Sequence, residues 1–146
     1  TYIRMLNYES EFRIQLTMGG KKGNKNTPPS LILKQMTKLG FNFWIAKENV
    51  ISRAFEKVGL ARDVKTGDQI FDQKYMILGR DKTQTMNFLL AGSRREAVDY
   101  FFNNGFVALI ADQFSVYATK PNYTDQDLEP NKIREQIEQL RKFIAG

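Results

Sequence analysis

The sequence predicts an α+β domain in which helices pack mostly on one face of an antiparallel sheet built from hairpins. Short apolar or alternating segments occur in pairs separated by tight turns, and strands joined in this way run antiparallel. Segments with helical spacing of apolar residues follow these pairs in the middle and at the end of the chain. A length of 146 residues fits one domain with a sizeable core, so we expect a single domain over residues 1–146.

The first half of the chain is predicted to contain two hairpins. Tyr2–Asn7 and Phe12–Thr17 pair around a turn at Tyr8–Glu11, because apolar and polar residues alternate in the second arm. Leu31–Lys38 and Phe41–Ala46 are predicted to form another hairpin, although the residue types of the first arm also suit a short helix.

The central stretch, residues 66–81, reads TGDQIFDQKYMILGRD. A glycine followed by Asp68 favours a turn, and Phe71 provides an aromatic anchor after it. The apolar run Tyr75–Leu78 has the length of a buried strand, which we expect in the middle of the sheet. Asp81 is expected to cap the segment that follows.

Four segments show the helical spacing of apolar residues: Glu48–Val58, Lys82–Leu90, Arg94–Asn103 and Asn131–Ile144. Ser93, with a glutamate three residues later, predicts a capping box at the third helix. The apolar seam of the last helix could pack on the domain's own sheet or pair with another chain, and its short length favours the first arrangement. Phe106–Ala111 and Phe114–Thr119 form the remaining predicted hairpin.

The composition excludes several kinds of active site. The chain contains no histidine and no cysteine. Catalytic triads, cysteine nucleophiles, disulfides and histidine or cysteine zinc sites are therefore excluded. We expect neither a cofactor nor a metal, and a non-enzymatic role is favoured. No apolar run reaches the roughly 20 residues that a transmembrane helix needs.

The positive charge is concentrated in the first third of the chain. The formal net charge is +6, and Phe12–Lys47 contains seven basic residues and no acidic residue. The glycine-rich segment Met18–Ser30 is predicted to be a mobile loop, and its lysines, Lys21, Lys22 and Lys25, are the candidate anion-binding residues. The patch either solubilises the domain or binds phosphate, lipid headgroups or an acidic partner. The glycine and lysine spacing in this loop is not that of a P-loop.

Carboxylates are the other candidates for chemistry. Asp68, Asp72 and Asp81 could provide acid–base catalysis or hold Mg²⁺ or Ca²⁺, but aspartate is also favoured at turns and helix caps, and we favour that structural role. The acidic loop Pro121–Pro130, with alternating Asp125, Asp127 and Glu129, is predicted to be solvated, and it lacks calcium-loop spacing.

Two further groups of residues could contact an anion. Arg94 and Arg95 lie at a predicted helix start, where they either bind an anion or remain solvated. Tyr117–Lys120 and Tyr123 could form an aromatic and basic strip for nucleic acid. No known nucleic-acid motif is present, so sequence-specific binding of nucleic acid is not expected.

The run GDQIFDQKYMILGRD, followed by NFLL and REAV, resembles the soluble domains of a loosely defined group of uncharacterised membrane-anchored proteins. The matching residues, in about the second half of the chain, are Gly67, Asp68, Phe71, Asp72, Leu89 and Leu90. The resemblance brings no established activity. It implies that the full protein contains transmembrane segments and that the basic half lies near an anionic bilayer. The start at Thr1 rather than Met also favours a domain cut from a longer chain.

We therefore expect a non-enzymatic, soluble interaction domain of a larger, membrane-anchored protein, whose partner is an anionic membrane surface or an acidic protein. The first alternative is a carboxylate-dependent hydrolase centred on Asp68 and Asp72. The second is a binder of nucleic acid or another polyanion that uses the basic N-terminal half without reading sequence.

Overall fold

The computed structural model describes residues 3–8, 12–23, 25–47 and 64–146. Its strands are β1 (Ile3–Tyr8), β2 (Phe12–Thr17), β3 (Gly20–Lys22), β4 (Lys25–Thr27), β5 (Ser30–Met36), β6 (Phe43–Lys47), β7 (Tyr75–Gly79), β8 (Ala108–Ala111) and β9 (Ser115–Pro121). Seven of them form one sheet in the order β1-β2-β5-β9-β8-β6-β7, in which all neighbours are antiparallel. β3 and β4 form a separate hairpin.

The helices are α1 (Gln69–Lys74), α2 (Lys82–Leu89), α3 (Gly92–Asn103) and α4 (Pro130–Ala145), with a 3-10 helix at Asp125–Leu128. The predicted α+β class is confirmed, and so are the three predicted helices from residue 82 onwards. The predicted helix Glu48–Val58 and residues 9–11 of the first predicted turn lie outside the described residues.

One row of apolar side chains crosses six adjacent strands in register and forms the inner face of the sheet. Its members are all buried: Ile14, Leu33, Ala118, Leu109, Ile45 and Ile77. Val98 and Phe101 of α3 and Ile137 and Leu140 of α4 belong to the same buried cluster. The seam of α4 therefore packs within its own domain, and the helices cover this one face.

Aromatic rings join the helices to the sheet at one end. Phe43 of β6 packs against Phe88 of α2 and Phe143 of α4, with ring centroids 5.5 and 6.0 Å apart. Phe88 and Phe143 meet edge to face at 5.3 Å. Such pairs stabilise a core by about 0.5–1.5 kcal/mol beyond the burial of their area.

The predicted hairpin of Leu31–Lys38 with Phe41–Ala46 is wrong. β5 pairs with β2 and β9, whereas β6 pairs with β7 and β8. Alternation of apolar residues identifies a strand and its buried face, but it does not identify the strand's partners. In this sheet the hairpin of β8 and β9 lies between β5 and β6.

The central stretch contains a helix that the sequence did not predict. Asp68 is the N-cap of α1, and its Oδ1 accepts a hydrogen bond from the backbone N–H of Phe71 at 3.2 Å. Phe71, predicted as an aromatic anchor after a turn, therefore lies on a short helix. β7 follows at once, and among the strands that the structure describes it is the last in the order rather than a central one. The predicted burial of Phe71, Tyr75 and Ile77 is confirmed.

Two other local predictions are also wrong. Met18–Ser30, predicted to be a loop, contains the hairpin of β3 and β4. α3 starts one residue earlier than the proposed cap, at Gly92, with Ala91 as N-cap and no capping side chain, so Ser93 lies inside the helix. A capping box does form at Thr124 and Asp127, at the start of the 3-10 helix.

Replacing Phe71 with Ala should lower the free energy of unfolding by about 3–5 kcal/mol, because the side chain is 3% exposed and its ring lies 4.8 Å from that of Tyr75. Ile70, which is 69% exposed, gives a matched control. Ile70→Ala should change the stability by about 0.5 kcal/mol or less. Urea unfolding of both variants checks this, and equal midpoints would show that Phe71 does not anchor α1 to the core.

Candidate functional site

The two carboxylates of the first α1 turn hold the chain in place. Asp68 caps the helix, as described above. Asp72 folds back over the preceding residues: it accepts hydrogen bonds from the N–H of Thr66 at 2.9 Å, from the Thr66 hydroxyl at 2.8 Å and from the N–H of Gly67 at 3.1 Å. Both of its oxygens are used. The carboxylates favoured as caps thus have local structural partners.

Asp81 has the predicted capping role at α2, where Oδ1 accepts from the N–H of Gln84 at 3.0 Å. Its Oδ2 accepts from the side-chain amide of the same Gln84, also at 3.0 Å. Within the part of the chain that the structure describes, no group of three or more acidic residues is arranged to hold a metal ion.

Ion pairs connect α1 to α3 around a cleft of about 220 Å³. Arg95 lies 3.4 Å from Asp68, and Lys74 lies 3.5 Å from Asp99. The Tyr75 hydroxyl donates to the same Asp99 carboxylate. Burial, and after it the hydrogen bond to Asp99, raises the pKa of Tyr75, so this hydroxyl remains protonated. Asp68 and Arg95, the candidate functional residues of this cleft, thus form an ion pair with each other.

Arg94 has a structural role at the ends of two helices, which neither sequence interpretation predicted. Its guanidinium donates to the carbonyls of Phe88 at 3.1 Å, Phe143 at 3.0 Å and Ile144 at 2.9 Å. It also lies 3.8 Å above the Phe88 ring. One side chain therefore satisfies carbonyls in the last turns of both α2 and α4, where helices lack internal partners.

Arg95 acts in a similar way at the end of α2. Its Nη1 donates to the carbonyls of Leu89 at 2.9 Å and Leu90 at 2.8 Å. The two consecutive arginines at the start of α3 thus hold the neighbouring helix ends together. The role of Arg94 could not be derived from the sequence, because the carbonyls of α4 are about 50 residues away.

The acidic loop contains a buried ion pair, so its prediction as a solvated segment is wrong for Asp127, whereas Asp125 and Glu129 are exposed as predicted. Asp127 is 5% exposed, and Lys120 Nζ lies 2.7 Å from its Oδ1. The N–H of Thr124 donates to Oδ2 at 2.9 Å. Burial alone would raise the pKa of Asp127, but the hydrogen bonds from Lys120 and Thr124 outweigh it and lower the pKa.

The proposed aromatic and basic strip does not form one surface. Tyr117 and Lys120 are three positions apart on β9, so their side chains lie on opposite faces of the sheet. Lys120 lies on the inner face with Asp127, whereas Tyr117 lies on the outer face with Lys34, whose Nζ is 5.1 Å from the ring. This geometry removes the main argument for a nucleic-acid strip on β9.

The candidate anion-binding lysines lie on the hairpin of β3 and β4. Its register places Lys22 opposite Lys25, and Lys21 opposite Asn26. Lys21 is exposed. Gly23 has a φ of +64°, which favours glycine at this turn. The hairpin therefore brings three lysine positions of the sequence into one compact unit.

The base of this hairpin is fixed to the end of β9. A Cβ on Gly19 would lie 2.6 Å from the Thr27 carbonyl oxygen, so only glycine fits where the two arms meet. The N–H of Asn122 donates to the carbonyl of Pro29 at 2.7 Å. Beside this contact Met18 is 49% exposed, and the Tyr123 hydroxyl lies 3.8 Å from its sulfur.

Comparisons with known proteins bear on the fold. No protein-family model and no curated protein matches this chain. A crystal structure of the mycobacterial trehalose monomycolate transport factor A, TtfA, is similar, with a TM-score of 0.50 and 10% sequence identity over 96% of this chain and 71% of that one. This likeness supports the fold alone. In the described ranges, no helix is both long and apolar enough to cross a bilayer.

Arg94→Met should lower the free energy of unfolding by about 2–3 kcal/mol, because three helix-end carbonyls lose a charged donor. Arg134→Met, on the exposed side of α4, is the matched control and should change it by about 0.5 kcal/mol or less. Urea unfolding followed by circular dichroism measures both. A loss of the same size in the two variants would contradict the structural role of Arg94.

The buried ion pair should make stability depend on pH under acidic conditions. Because the pKa of Asp127 is lower in the folded state, its contribution is complete above the unfolded value of about 3.9 and is lost as the pH falls through the folded value. The free energy of unfolding of the wild type should fall between about pH 4.5 and pH 2.5. Asp127→Asn should flatten this fall, whereas Asp125→Asn, at an exposed neighbour, should retain it.

Proposed function

We propose that this chain is a non-enzymatic binding domain of a larger, membrane-anchored protein, and that it binds anionic membrane surfaces through the hairpin of β3 and β4. The observation that carries the proposal is the hairpin register, in which Lys22 lies opposite Lys25 and Lys21 is the next residue along. Three lysine positions in so short a hairpin concentrate positive charge, and a surface that supplies negative charge attracts it.

The surroundings of the hairpin add to this charge. No acidic residue occurs from Phe12 to Lys47, so no carboxylate on neighbouring β2 or β5 offsets the lysines. Near an anionic bilayer each lysine or arginine contributes up to about 1 kcal/mol. With three lysines on the hairpin, weak binding that depends on ionic strength is the expected outcome.

The residues at the base of the hairpin favour a lipid surface over nucleic acid or an acidic protein. Met18 exposes about half of its surface beside the amphipathic ring of Tyr123. Apolar and aromatic groups next to lysines suit the boundary between lipid headgroups and acyl chains.

The carboxylates support a non-enzymatic role. Asp68, Asp72 and Asp81 all accept hydrogen bonds from backbone N–H groups, as capping residues do. A similar fold occurs in a protein described as a transport factor. The hydrolase hypothesis has no comparable observation in its favour.

Vesicle co-sedimentation tests the proposal. The wild type should bind phosphatidylcholine vesicles that contain about one third phosphatidylserine at low salt, and binding should decrease as salt is added. Replacing Lys21, Lys22 and Lys25 with Glu should abolish binding. The matched control replaces Lys65, Lys82 and Arg134, all exposed, with Glu.

The control has the same charge as the test variant. Each replacement changes the charge by −2, so three replacements take either variant from the formal net charge of +6 to zero. If position matters, the control retains most of the binding. Equal loss of binding in both variants would show that net charge alone is responsible. Equal binding by the wild type and the hairpin variant would show that the hairpin lysines do not contact the vesicle.

A further inference from the structure

We propose a second site, at the end of the sheet opposite the hairpin of β3 and β4, that binds a small ligand carrying a phosphate or carboxylate group on an apolar body. The site is a cavity of about 350 Å³. It lies between the β5–β6 connection, the turn from β7 to α2 and the turn from β8 to β9. Its volume falls within the roughly 300–1,000 Å³ of small-molecule sites. This inference does not rest on the proposed membrane binding.

The three segments that form the cavity are tied to one another. The N–H of Thr37 donates to the carbonyl of Phe114 at 2.9 Å, which joins the end of β5 to the β8–β9 turn. The N–H of Arg80 donates to the carbonyl of Asn42 at 3.4 Å, which joins the β5–β6 connection to the β7–α2 turn. A cavity with walls fixed in this way requires little ordering when a ligand binds.

The acidic residues that line the cavity, Asp81 and Asp112, accept hydrogen bonds from other groups of the protein. Both oxygens of Asp81 accept from Gln84. Oδ1 of Asp112 accepts from the N–H of Phe114 at 2.8 Å, from the N–H of Ser115 at 2.8 Å and from the Ser115 hydroxyl at 3.0 Å. These carboxylates shape the turns, and their negative charge is partly neutralised by the donors.

The basic residues that line the cavity, Lys38 and Arg80, form no comparable contacts within the described part of the chain. Lys38 and Arg80 are exposed and line the cavity, and neither forms an ion pair with any residue that the structure describes. Asn42 and Gln113 add two side-chain amides to the lining. Lysine and arginine are donors only, and the arginine fork matches the geometry of a carboxylate or phosphate. The donors available in the cavity therefore favour a ligand rich in acceptors.

The aromatic side chains at the cavity favour an apolar body as the second part of the ligand. Phe41 lines the cavity and is half-buried, with its ring 5.8 Å from Phe43 and 5.6 Å from Phe88. Phe114 is 59% exposed on the adjoining turn, and Lys38 Nζ lies 5.7 Å from the centre of its ring. An apolar body can pack on Phe41 while its anionic group meets Lys38 and Arg80.

The two halves of the ligand should both be needed. Asp81 and Asp112 formally balance Lys38 and Arg80, so a bare anion gains little from the net field of the cavity. An apolar body alone leaves the donors without partners. We therefore expect phenyl phosphate or phenylacetate to bind more tightly than inorganic phosphate and more tightly than phenol.

Titration of the ¹⁵N-labelled chain with these four compounds, followed by amide chemical shifts, tests the inference. Phenyl phosphate or phenylacetate should give saturable shifts centred on residues 38–42, 80–84 and 112–114. The preference between these two distinguishes a phosphate ligand from a carboxylate ligand. Arg80→Gln and Lys38→Gln should each weaken binding by about threefold to tenfold, since each removes a charged donor.

Lys65→Gln is the matched control, because it removes one exposed positive charge outside the cavity and should leave the affinity within about twofold. All three replacements are at exposed positions, and thermal unfolding checks that each variant is folded. Shifts that do not saturate, shifts centred elsewhere, or equal weakening by Lys65→Gln would each overturn the inference. Loss of vesicle binding in the hairpin variants has no bearing on it.

Discussion

The fold depends on one constraint, the register of the buried row that crosses the sheet from Ile14 to Ile77. A slip of one residue in any of these strands would turn its apolar side chains away from α3 and α4. Fixing the register also fixes which connections meet at each end of the sheet. The basic hairpin and the Pro29–Asn122 contact therefore lie at one end, and the loops that line the 350 Å³ cavity lie at the other.

Several charged side chains of the described residues complete the hydrogen bonding of backbone ends. Asp72 holds the turn before α1, Arg94 satisfies the ends of two helices, and Asp127 combines a helix-capping role with a buried ion pair to Lys120. Buried carbonyls and N–H groups without partners are costly, so such uses are strongly favoured in a compact domain. Of these residues, Asp72 was a candidate for catalysis in a sequence without histidine and cysteine, and Arg94 was a candidate for anion binding. The charged side chains that do not make such structural contacts are the ones available to bind a partner.

The sequence predicted what depends on local pattern. Period-two alternation identified β2 and β6, helical spacing identified α2 and α4, and the residue type at Asp81 identified a cap. It failed where the outcome depends on distant residues. This applies to the partners of β5, to the place of β7 in the order of the described strands and to the contacts of Arg94, which all involve segments far apart in the chain. The hairpin of β3 and β4 was missed because its short arms contain polar residues and glycine, which lack an apolar period.

The same distinction applies to the candidate sites. The lysines of the hairpin are visible as a charge run, whereas the cavity is assembled from three separate connections and has no signal in the sequence. β5, with seven residues, spans the distance between the two ends, which is about 23 Å at 3.3 Å per residue. This is nearly three times the Debye length of about 8 Å at physiological salt. Charges bound at one end are therefore screened from the other, and a domain attached to a membrane through the hairpin would keep its cavity open to the solution.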